Sequence, residues 1–206
     1  MNLKDRVVVI TGAANGLGKA LAFEFQKQGC HLALIDVDLN GLEKVKNKLK
    51  SATQKVTIHQ ADLSHEKSII VTRMEILSRH KYIDIVVNNA GISISQYFEQ
   101  IDLQEYKKLF DVNYWGTIYS TKHFLPDLKL QPNSRLVNIT SGFALMGFPG
   151  KTAYCSSKSA ISGFTNTLKT ELSDTSVKVC LVIPPPLNTG LVKNSRHIDA
   201  IKQQKE

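Results

Sequence analysis

The sequence lacks the features of membrane-spanning, secreted and disulfide-stapled proteins. It contains no uninterrupted apolar run of the roughly 18 residues that a membrane helix needs. Its first residues lack the apolar core and small-residue cleavage site of a secretory signal. The three cysteines are scattered and form no Cys-x-x-Cys pair, a pattern that favours reduced thiols. We therefore expect a cytoplasmic protein that binds no metal.

The composition is that of an ordinary globular chain with an excess of positive charge. With 206 residues and 42% apolar side chains, the chain can build one core. It contains no repeats, low-complexity runs or linkers, so we expect a single domain over residues 1–206. The net charge of +8 raises the possibility of a nucleic-acid partner. The lysines are spread out and their clusters lack interleaved aromatics, so solvated helix faces are the better interpretation.

Residues 1–36 combine two apolar runs with a glycine-rich segment. The run at 7–10 leads into the glycines at 11–18, an amphipathic stretch follows, and the run at 32–35 ends at Asp36. Glycines let the main chain approach a pyrophosphate, and the next helix presents free N–H groups and a positive dipole end. The pattern predicts strand, turn, helix and strand, with a carboxylate placed to meet an adenosine ribose.

The rest of the chain alternates short apolar runs with longer amphipathic stretches. Six strands are predicted near 7–10, 32–35, 56–58, 83–87, 135–139 and 177–183. Helices are predicted after the glycine turn and near 39–49, 65–79, 103–109, 114–129 and 152–173, with Ser64 and Asp102 as N-caps and a possible kink at Pro126. Strands that are apolar throughout are covered on both faces, which indicates an α/β doubly wound Rossmann fold with a parallel sheet. Such folds bind ligands at the carboxyl ends of the strands.

Two polar pairs follow strands at that edge, and each has two interpretations. Asp62 and Leu63 can flank an adenine, or Asp62 can simply cap the strand end. Asn88 and Asn89 can bond backbone between neighbouring loops, or reach the ribose. The sequence leaves both alternatives open.

Ser141, Tyr154 and Lys158 form the strongest chemical pattern. The tyrosine and lysine are spaced to share one helix face, and the serine ends the strand before that helix. An ammonium near a phenol favours the phenolate and lowers its pKa, which suits proton exchange with an alcohol oxygen. Chance alone gives roughly 0.6 such spacings in a chain of this composition, so the argument depends on its location.

Taken together, these motifs resemble the classical short-chain dehydrogenase/reductase family. The resemblance rests on Thr11-Gly12-x-x-x-Gly16-x-Gly18, Asn88-Asn89-Ala90-Gly91, Asn113, Ser141 and Tyr154-x-x-x-Lys158, in that order. It implies that Tyr154 is the general acid/base and that Ser141 holds the substrate oxygen. It further implies that Lys158 binds the nicotinamide ribose and lowers the tyrosine pKa, while Asn113 holds a proton-relaying water.

The resemblance also implies a nicotinamide dinucleotide cofactor. Its expected contacts are Gly12, Asn15, Gly16, Leu17, Gly18, Asp36, Asp62, Leu63, Asn89, Tyr154, Lys158, Pro184 and Thr189. Asp36 can accept from both ribose hydroxyls of NAD, whereas the 2′-phosphate of NADP would meet a carboxylate. No basic residue replaces or directly follows it, so we expect NAD(H) to be favoured over NADP(H).

The chain departs from the family pattern near its end. Pro184-Pro185-Pro186 keeps the family's first proline and, with Thr189, its threonine, but loses its glycine. The sequence ends at Glu206, so we expect the C-terminal seventh strand to be absent and the chain to be truncated relative to the family. These departures keep open an alternative, a non-catalytic dinucleotide-binding or scaffold protein of the same fold.

The expected substrate is an apolar alcohol or ketone of steroid, retinoid or fatty-chain type. Apolar loop residues border the expected pocket: Ile92, Ile94, Phe143, Leu145, Met146 and Phe148. Ordinary loop packing is the alternative interpretation of these residues. The resemblance also suggests a homodimer or homotetramer joined through the helices near 114–129 and 152–173.

Overall fold

The structure is a parallel sheet with helices on both faces. The computed structural model describes residues 2–49 and 53–185, and the backbone of Arg196–His197. Within these residues the strands are β1 (Val7–Thr11), β2 (His31–Asp36), β3 (Val56–Gln60), β4 (Ile85–Asn88), β5 (Ile94–Ser95), β6 (Ser134–Ile139), β7 (Val177–Val182) and β8 (Arg196–His197). Six form one parallel sheet in the order β3-β2-β1-β4-β6-β7, and β5 pairs with β8.

Helices connect the strands of the main sheet. They are α1 (Gly16–Lys27), α2 (Leu39–Lys48), α3 (Glu66–His80), α4 (Leu103–Phe110), a π-helical turn (Asp111–Trp115), α5 (Gly116–Lys129), a 3₁₀ turn (Gly142–Ala144) and α6 (Thr152–Glu171). Alternation of strands and helices in a parallel sheet is the doubly wound α/β arrangement. The predicted Rossmann fold is therefore confirmed.

The core is divided by the sheet into two layers, because alternate strand residues face opposite sides. On one face Val9, Val86 and Leu136 pack with side chains of α3, α5 and α6, including Phe124. On the other face the strands pack against α1 and α2, where Ala22, Leu42 and Val45 are buried. Near-continuous apolar strands thus arise because both faces of the central strands are covered.

The strand count corrects the sequence expectation. β5 and β8 contain two residues each, too few for a periodic pattern, and neither was predicted. Val177–Val182 is consequently the seventh strand in chain order, so the expectation that a seventh strand is absent was wrong. Among the described residues β7 forms one edge of the main sheet, which has six strands.

One predicted helix cap was also wrong, and a second was confirmed. Helix α3 begins at Glu66 after His65, and Ser64 instead donates to Asp62 through both its N–H and its hydroxyl, at 2.9 and 2.7 Å. Asp102 caps α4 as expected, since its carboxylate accepts from the N–H of Gln104 at 2.8 Å.

The strand order places a crevice at the carboxyl edge of the sheet. Between β1 and β4 the chain changes direction across the sheet, because β2 and β3 lie to one side and β6 and β7 to the other. The connections after β1 and β4 therefore diverge and leave a gap above these strands, where ligands bind in open α/β sheets. The glycine turn follows β1 and the Asn-Asn-Ala-Gly segment follows β4, so both predicted motifs meet there.

Candidate active site

The glycine turn and the loop after β4 pack against each other with their main chains in close contact. Gly12 and Gly16 have φ values of +65° and +52°, a region that residues with a Cβ rarely adopt. A Cβ added to Gly12 would lie 2.8 Å from the Cα of Ala90, and one added to Gly18 would overlap the carbonyl oxygen of Gly12. Glycine is thus required here by contact between main chains.

The start of α1 fits the pyrophosphate of a dinucleotide. Asn15 precedes the helix in extended conformation, its side chain makes no capping hydrogen bond, and the first turn carries no acidic residue. The first N–H groups of a helix have no intrahelical acceptor, and the helix dipole adds positive charge there. Gly16, Leu17 and Gly18 form this first turn, so the structure brings these predicted residues together beside Gly12.

Asp36 ends β2 directly beside the glycine turn. One carboxylate oxygen accepts from the N–H of Ala14 at 2.9 Å, and the other accepts from the N–H of Asp38 at 3.0 Å. The side chain is therefore fixed in position, while each oxygen retains a second lone pair. This geometry suits a carboxylate that accepts hydrogen bonds from the hydroxyl groups of a ribose.

The pair after β3 has a partly exposed acid and a buried apolar neighbour. Burial alone acts to raise the pKa of Asp62, but hydrogen bonds from Ser64 outweigh it and lower the pKa below its ordinary value. Leu63 is buried and packs where a Cβ on Gly116 would meet it at 3.1 Å. A charged strand-end carboxylate beside an apolar surface is compatible with both alternatives. Asp62 and Leu63 can flank an adenine, or Asp62 can cap the end of the strand.

Asn89 joins the two loops of the crevice. Its side-chain N–H group donates to the carbonyl oxygens of Thr11 and Gly12, at 3.0 and 3.2 Å. The hydroxyl of Thr11 accepts from the N–H groups of Asn89 and Ala90. Asn89 thus bonds the backbone of the neighbouring loop, which is one of its two interpretations. Contact between Asn89 and a cofactor stays a prediction.

Asn88 points away from the crevice into a buried polar network. Its amide N–H group donates to Asn138 at 2.8 Å and to Thr121 at 3.1 Å, and its oxygen accepts from Ser120 at 2.6 Å. Asn138 in turn donates to Thr165 on α6 at 2.9 Å. The network ties β4 and β6 to α5 and α6, and its members lie too far apart in sequence for a local motif to reveal them.

Tyr154 and Lys158 lie together in the first turns of α6, almost wholly buried. The Lys158 Nζ lies 5.9 Å from the centre of the Tyr154 ring and donates to the carbonyl oxygen of Ile139 at 3.1 Å. The hydroxyl of Thr140 donates to the carbonyl oxygen of Lys158 at 2.9 Å. The residues at the end of β6 therefore fix the position of α6, and Ser141 directly follows Thr140, two residues beyond the strand.

Burial dominates the acid–base properties of this pair. It lowers the pKa of Lys158 from 10.5 to about 8. It also raises the pKa of Tyr154 above 10.0, and the Ser141 hydroxyl beside it acts in the opposite direction. Loss of hydration disfavours the phenolate more than the Ser141 hydrogen bond favours it, and the expected effect of Lys158 on the tyrosine pKa stays a prediction.

Asn113 lies in the π-helical turn and is fully buried. Its side-chain oxygen accepts from the N–H of Ile92 at 2.8 Å, and its amide N–H group donates to the Ile92 carbonyl at 3.0 Å and the Ser157 hydroxyl at 3.1 Å. An added Cβ on Gly91 would lie 3.2 Å from the Asn113 side-chain oxygen and 3.4 Å from the Lys158 Nζ. Two of the residues predicted as catalytic, Asn113 and Lys158, therefore meet at the main chain of Gly91.

The loop after β7 is described only in part. Pro184 lies two residues beyond the carboxyl end of β7 and is partly exposed, beside a more exposed Pro185. Thr189 lies outside the described residues.

The chain and its fold are similar to known proteins. The family model described as short chain dehydrogenase matches residues 6–199. The chain belongs to the classical short-chain dehydrogenase/reductase family. A family of nicotinamide-dependent oxidoreductases accounts for a dinucleotide crevice that adjoins a buried tyrosine and lysine.

Individual relatives and solved structures give the same result. Human estradiol 17-beta-dehydrogenase 11 is 34% identical over 196 residues, which cover 94% of this chain and 65% of the relative. A short-chain dehydrogenase/reductase from Burkholderia phymatum, solved with NAD, is 26% identical with a TM-score of 0.91, covering all of this chain and 75% of that one. The 3-ketoacyl-(acyl-carrier-protein) reductase of Brucella melitensis, solved with NADH, has a TM-score of 0.89 at 28% identity, covering 94% and 81%.

The relatives are longer than this chain. It spans between 58% and 74% of the length of the curated family members that it matches. No helix within the described part of the chain is long and apolar enough to cross a membrane.

Proposed function

We propose that the protein is an NAD(H)-dependent alcohol dehydrogenase or carbonyl reductase of this family, formed by one domain. The observation that carries the proposal is the enclosure of Gly91 by Asn113 and Lys158, with Tyr154 over the same lysine. Two ionisable groups buried together at the ligand-binding edge of a sheet are costly for stability and typical of catalytic sites. The NAD-bound and NADH-bound structures of similar fold support the cofactor class.

The chain's own residues supply the proton chemistry. In reduction, the Tyr154 hydroxyl gives its proton to the carbonyl oxygen while Ser141 donates a hydrogen bond to the same oxygen. In oxidation, the phenolate takes the alcohol proton. The cofactor supplies or accepts the hydride at the carbon atom when it is bound. Lys158 supplies positive charge toward the phenolate, and Asn113 holds Ile92 and the lysine surroundings in place.

NAD(H) preference rests on Asp36. Both of its oxygens are already oriented by backbone N–H groups, so the carboxylate cannot rotate away from a phosphate without breaking those bonds. A 2′-phosphate would bring like charge against a fixed and buried anion, which is unfavourable. The remaining predicted cofactor contacts, including Asp62, Asn89, Pro184 and Thr189, stay predictions.

An apolar substrate fits the surroundings of Tyr154. Phe143 packs edge-on against the tyrosine ring, with centres 6.3 Å apart, and Phe148 packs on Phe143 at 5.2 Å. Leu145 and Met146 on the same loop are 70% and 66% exposed, although both are apolar. Cover by an apolar alcohol or ketone would remove this surface from water.

A homodimer or homotetramer is also part of the proposal. Successive aromatic rings follow α4, the π-helical turn and α5, where Tyr106, Phe110, Tyr114, Trp115 and Tyr119 make ring contacts of 5.5 to 6.4 Å. Trp115 remains 44% exposed. A row of partly buried aromatic rings with an exposed tryptophan on adjoining helices is typical of a protein interface. Sedimentation showing only monomer would contradict this part.

The decisive experiment is cofactor titration followed by turnover. Purified protein is titrated with NADH and NADPH by nicotinamide fluorescence, and then assayed against a panel of apolar alcohols and ketones. We expect tighter binding of NADH and measurable turnover. Preferential NADPH binding would contradict the role of Asp36, and NADH binding without any turnover would favour the scaffold alternative.

A further inference from the structure

Lys151 forms a second polar contact at the edge of the site. It directly precedes α6, three residues before Tyr154, and its Nζ donates to the Ser93 hydroxyl at 2.9 Å. Ser93 follows Ile92, the residue that Asn113 holds through two hydrogen bonds. The contact therefore joins the segment that carries the tyrosine to the segment that passes between Asn113 and the active-site lysine.

The charge of Lys151 is poorly compensated by the protein. The side chain is partly buried, and burial lowers its pKa, although the nearby Cys155 thiol acts in the opposite direction. Ser93 is neutral, and no carboxylate forms an ion pair with Lys151 in the described part of the chain. A partly buried cation that has a neutral hydroxyl as its partner among the described residues is stabilised further when an anion joins it.

Two arginines show how the same fold compensates a cation elsewhere. Arg6 meets the buried Asp84 at 2.5 Å, and Arg73 makes two bonds of 2.6 Å to the buried Asp127. Both arginines lie away from the carboxyl edge of the sheet, where no ligand is expected. The difference suggests that the described part of the chain leaves the Lys151 charge available to an anionic ligand.

We propose that Lys151 and Ser93 bind a carboxylate group of the substrate, which makes the enzyme selective for keto or hydroxy acids over neutral ketones and alcohols. The inference rests on the proposed function and specifies its substrate class. Ile94, Ala153 and Tyr154 belong to one apolar cluster on the same two segments, joined by Ile92 and Phe143. The substrate would therefore be an apolar chain that bears the reacting oxygen and a carboxylate.

The test compares acids with their own esters. Straight-chain keto acids of increasing length and their methyl esters are assayed with NADH on the wild-type protein and on Lys151→Met. We expect the wild type to prefer one acid over its ester, and the variant to raise KM for that acid about tenfold while leaving the ester unchanged. Lys151→Arg should keep most of the preference. Lys178→Met, which removes an exposed charge from β7, should change neither substrate.

Several outcomes would overturn the inference. Equal effects of Lys151→Met on acid and ester, or a wild-type preference for the ester, would show that Lys151 only bridges two segments. In that case Ser93→Ala would affect acid and ester alike and to the same extent. Calorimetric binding of acid and ester to the NADH complex provides a test without turnover. Turnover without acid preference would contradict this inference alone, whereas absence of turnover with every substrate would contradict the proposed function.

Discussion

The two halves of the site are fixed by different means. In the nucleotide half, comprising β1, α1 and β2, main chain meets main chain and glycine is the determining residue at Gly12 and Gly18. In the catalytic half, comprising β6 and α6, buried side chains hold the helix on the strand through Asn138, Thr140 and Lys158. Steric fit thus governs one half, and satisfied hydrogen bonds govern the other.

This difference indicates how each half should respond to substitution. An added methyl group in the nucleotide half has no space and displaces backbone, so the response should be abrupt. Loss of one side-chain contact in the catalytic half leaves other contacts in place, so the response should be graded. Three predictions test this contrast and a fourth provides a reference outside both halves, from the largest expected effect to the smallest.

Removal of the Tyr154 hydroxyl should have the largest effect. Tyr154→Phe deletes the proposed proton donor but keeps the buried ring, and we expect turnover to fall roughly 10³-fold with NADH affinity unchanged. Steady-state kinetics and fluorescence titration measure the two quantities. Tyr106→Phe is the matched control, because within the described residues that hydroxyl donates to the Ser156 hydroxyl, at 3.3 Å, and to no predicted catalytic residue. Retained turnover in Tyr154→Phe would exclude the tyrosine as the general acid/base.

A methyl group at Gly18 should strongly weaken cofactor binding. Gly18→Ala places a Cβ against the Gly12 carbonyl and within 2.6 Å of the Asn89 side chain, so the turn must move. We expect NADH to bind about tenfold to 100-fold more weakly by fluorescence titration. Gly163→Ala is the control, since a Cβ there meets no atom within 4 Å. Equal NADH affinity in both variants would show that steric fit does not govern the nucleotide half.

Disruption of the buried network should reduce stability gradually. Asn138→Leu removes the partner of Asn88 and of Thr165, and leaves the Asn88 amide its bond to Thr121. We expect the free energy of unfolding to fall by about 2 kcal/mol in urea, with a folded protein remaining. Asn166→Leu makes the same change at an exposed position of α6 and should have little effect. Similar losses in both variants would show that the network does not hold the helix.

Low pH should lower the free energy of unfolding through His80, a residue remote from the site. His80 is buried against the Thr57 hydroxyl, and burial, with the charges of Lys55, His31, His59 and Arg79, lowers its pKa from 6.5 to about 4. Because the neutral form is favoured only in the folded state, this stabilisation is present above pH 6.5 and is lost as pH falls toward 4.

The expected size of that loss is small. The linkage gives about 1 kcal/mol between a pH of about 6.5 and a pH of about 5.5, measured by urea unfolding. His80→Gln should reduce this slope, whereas His123→Gln, which alters a histidine that is paired with Glu66 at the surface, should not. An unchanged slope in His80→Gln would assign the acid sensitivity to other groups.

The sequence predicts the nucleotide half better than the catalytic half. Gly12 and Asp36 belong to one short strand–turn–helix–strand unit, where local spacing determines which atoms meet. The pattern around Tyr154 places the residue types correctly, but its pKa depends on burial by Phe143 and other side chains from distant segments. Local spacing carries no information about that burial.

Features built from long-range contacts could not be predicted. β5 and β8 have two residues each, and their pairing joins Ile94 to Arg196 across about half the chain. The bond between Asn88 and Asn138 arises from strand order, since the two are register partners on β4 and β6. Ser64 was predicted as a helix cap because serine favours that position, yet the carboxylate of Asp62 competed for its donors.

Because hydrogen bonds on either side of it hold α6 on β6, the segment between them can be replaced without displacing the helix. The hydrogen bonds described above between the helix and the end of the strand come from residues up to Thr140 and from Lys158 onward. The intervening loop at 142–151 contains the exposed Leu145, Met146 and Phe148. Grafting this loop from a relative should therefore transfer substrate range to the chain while Ser141 and Tyr154 keep their separation.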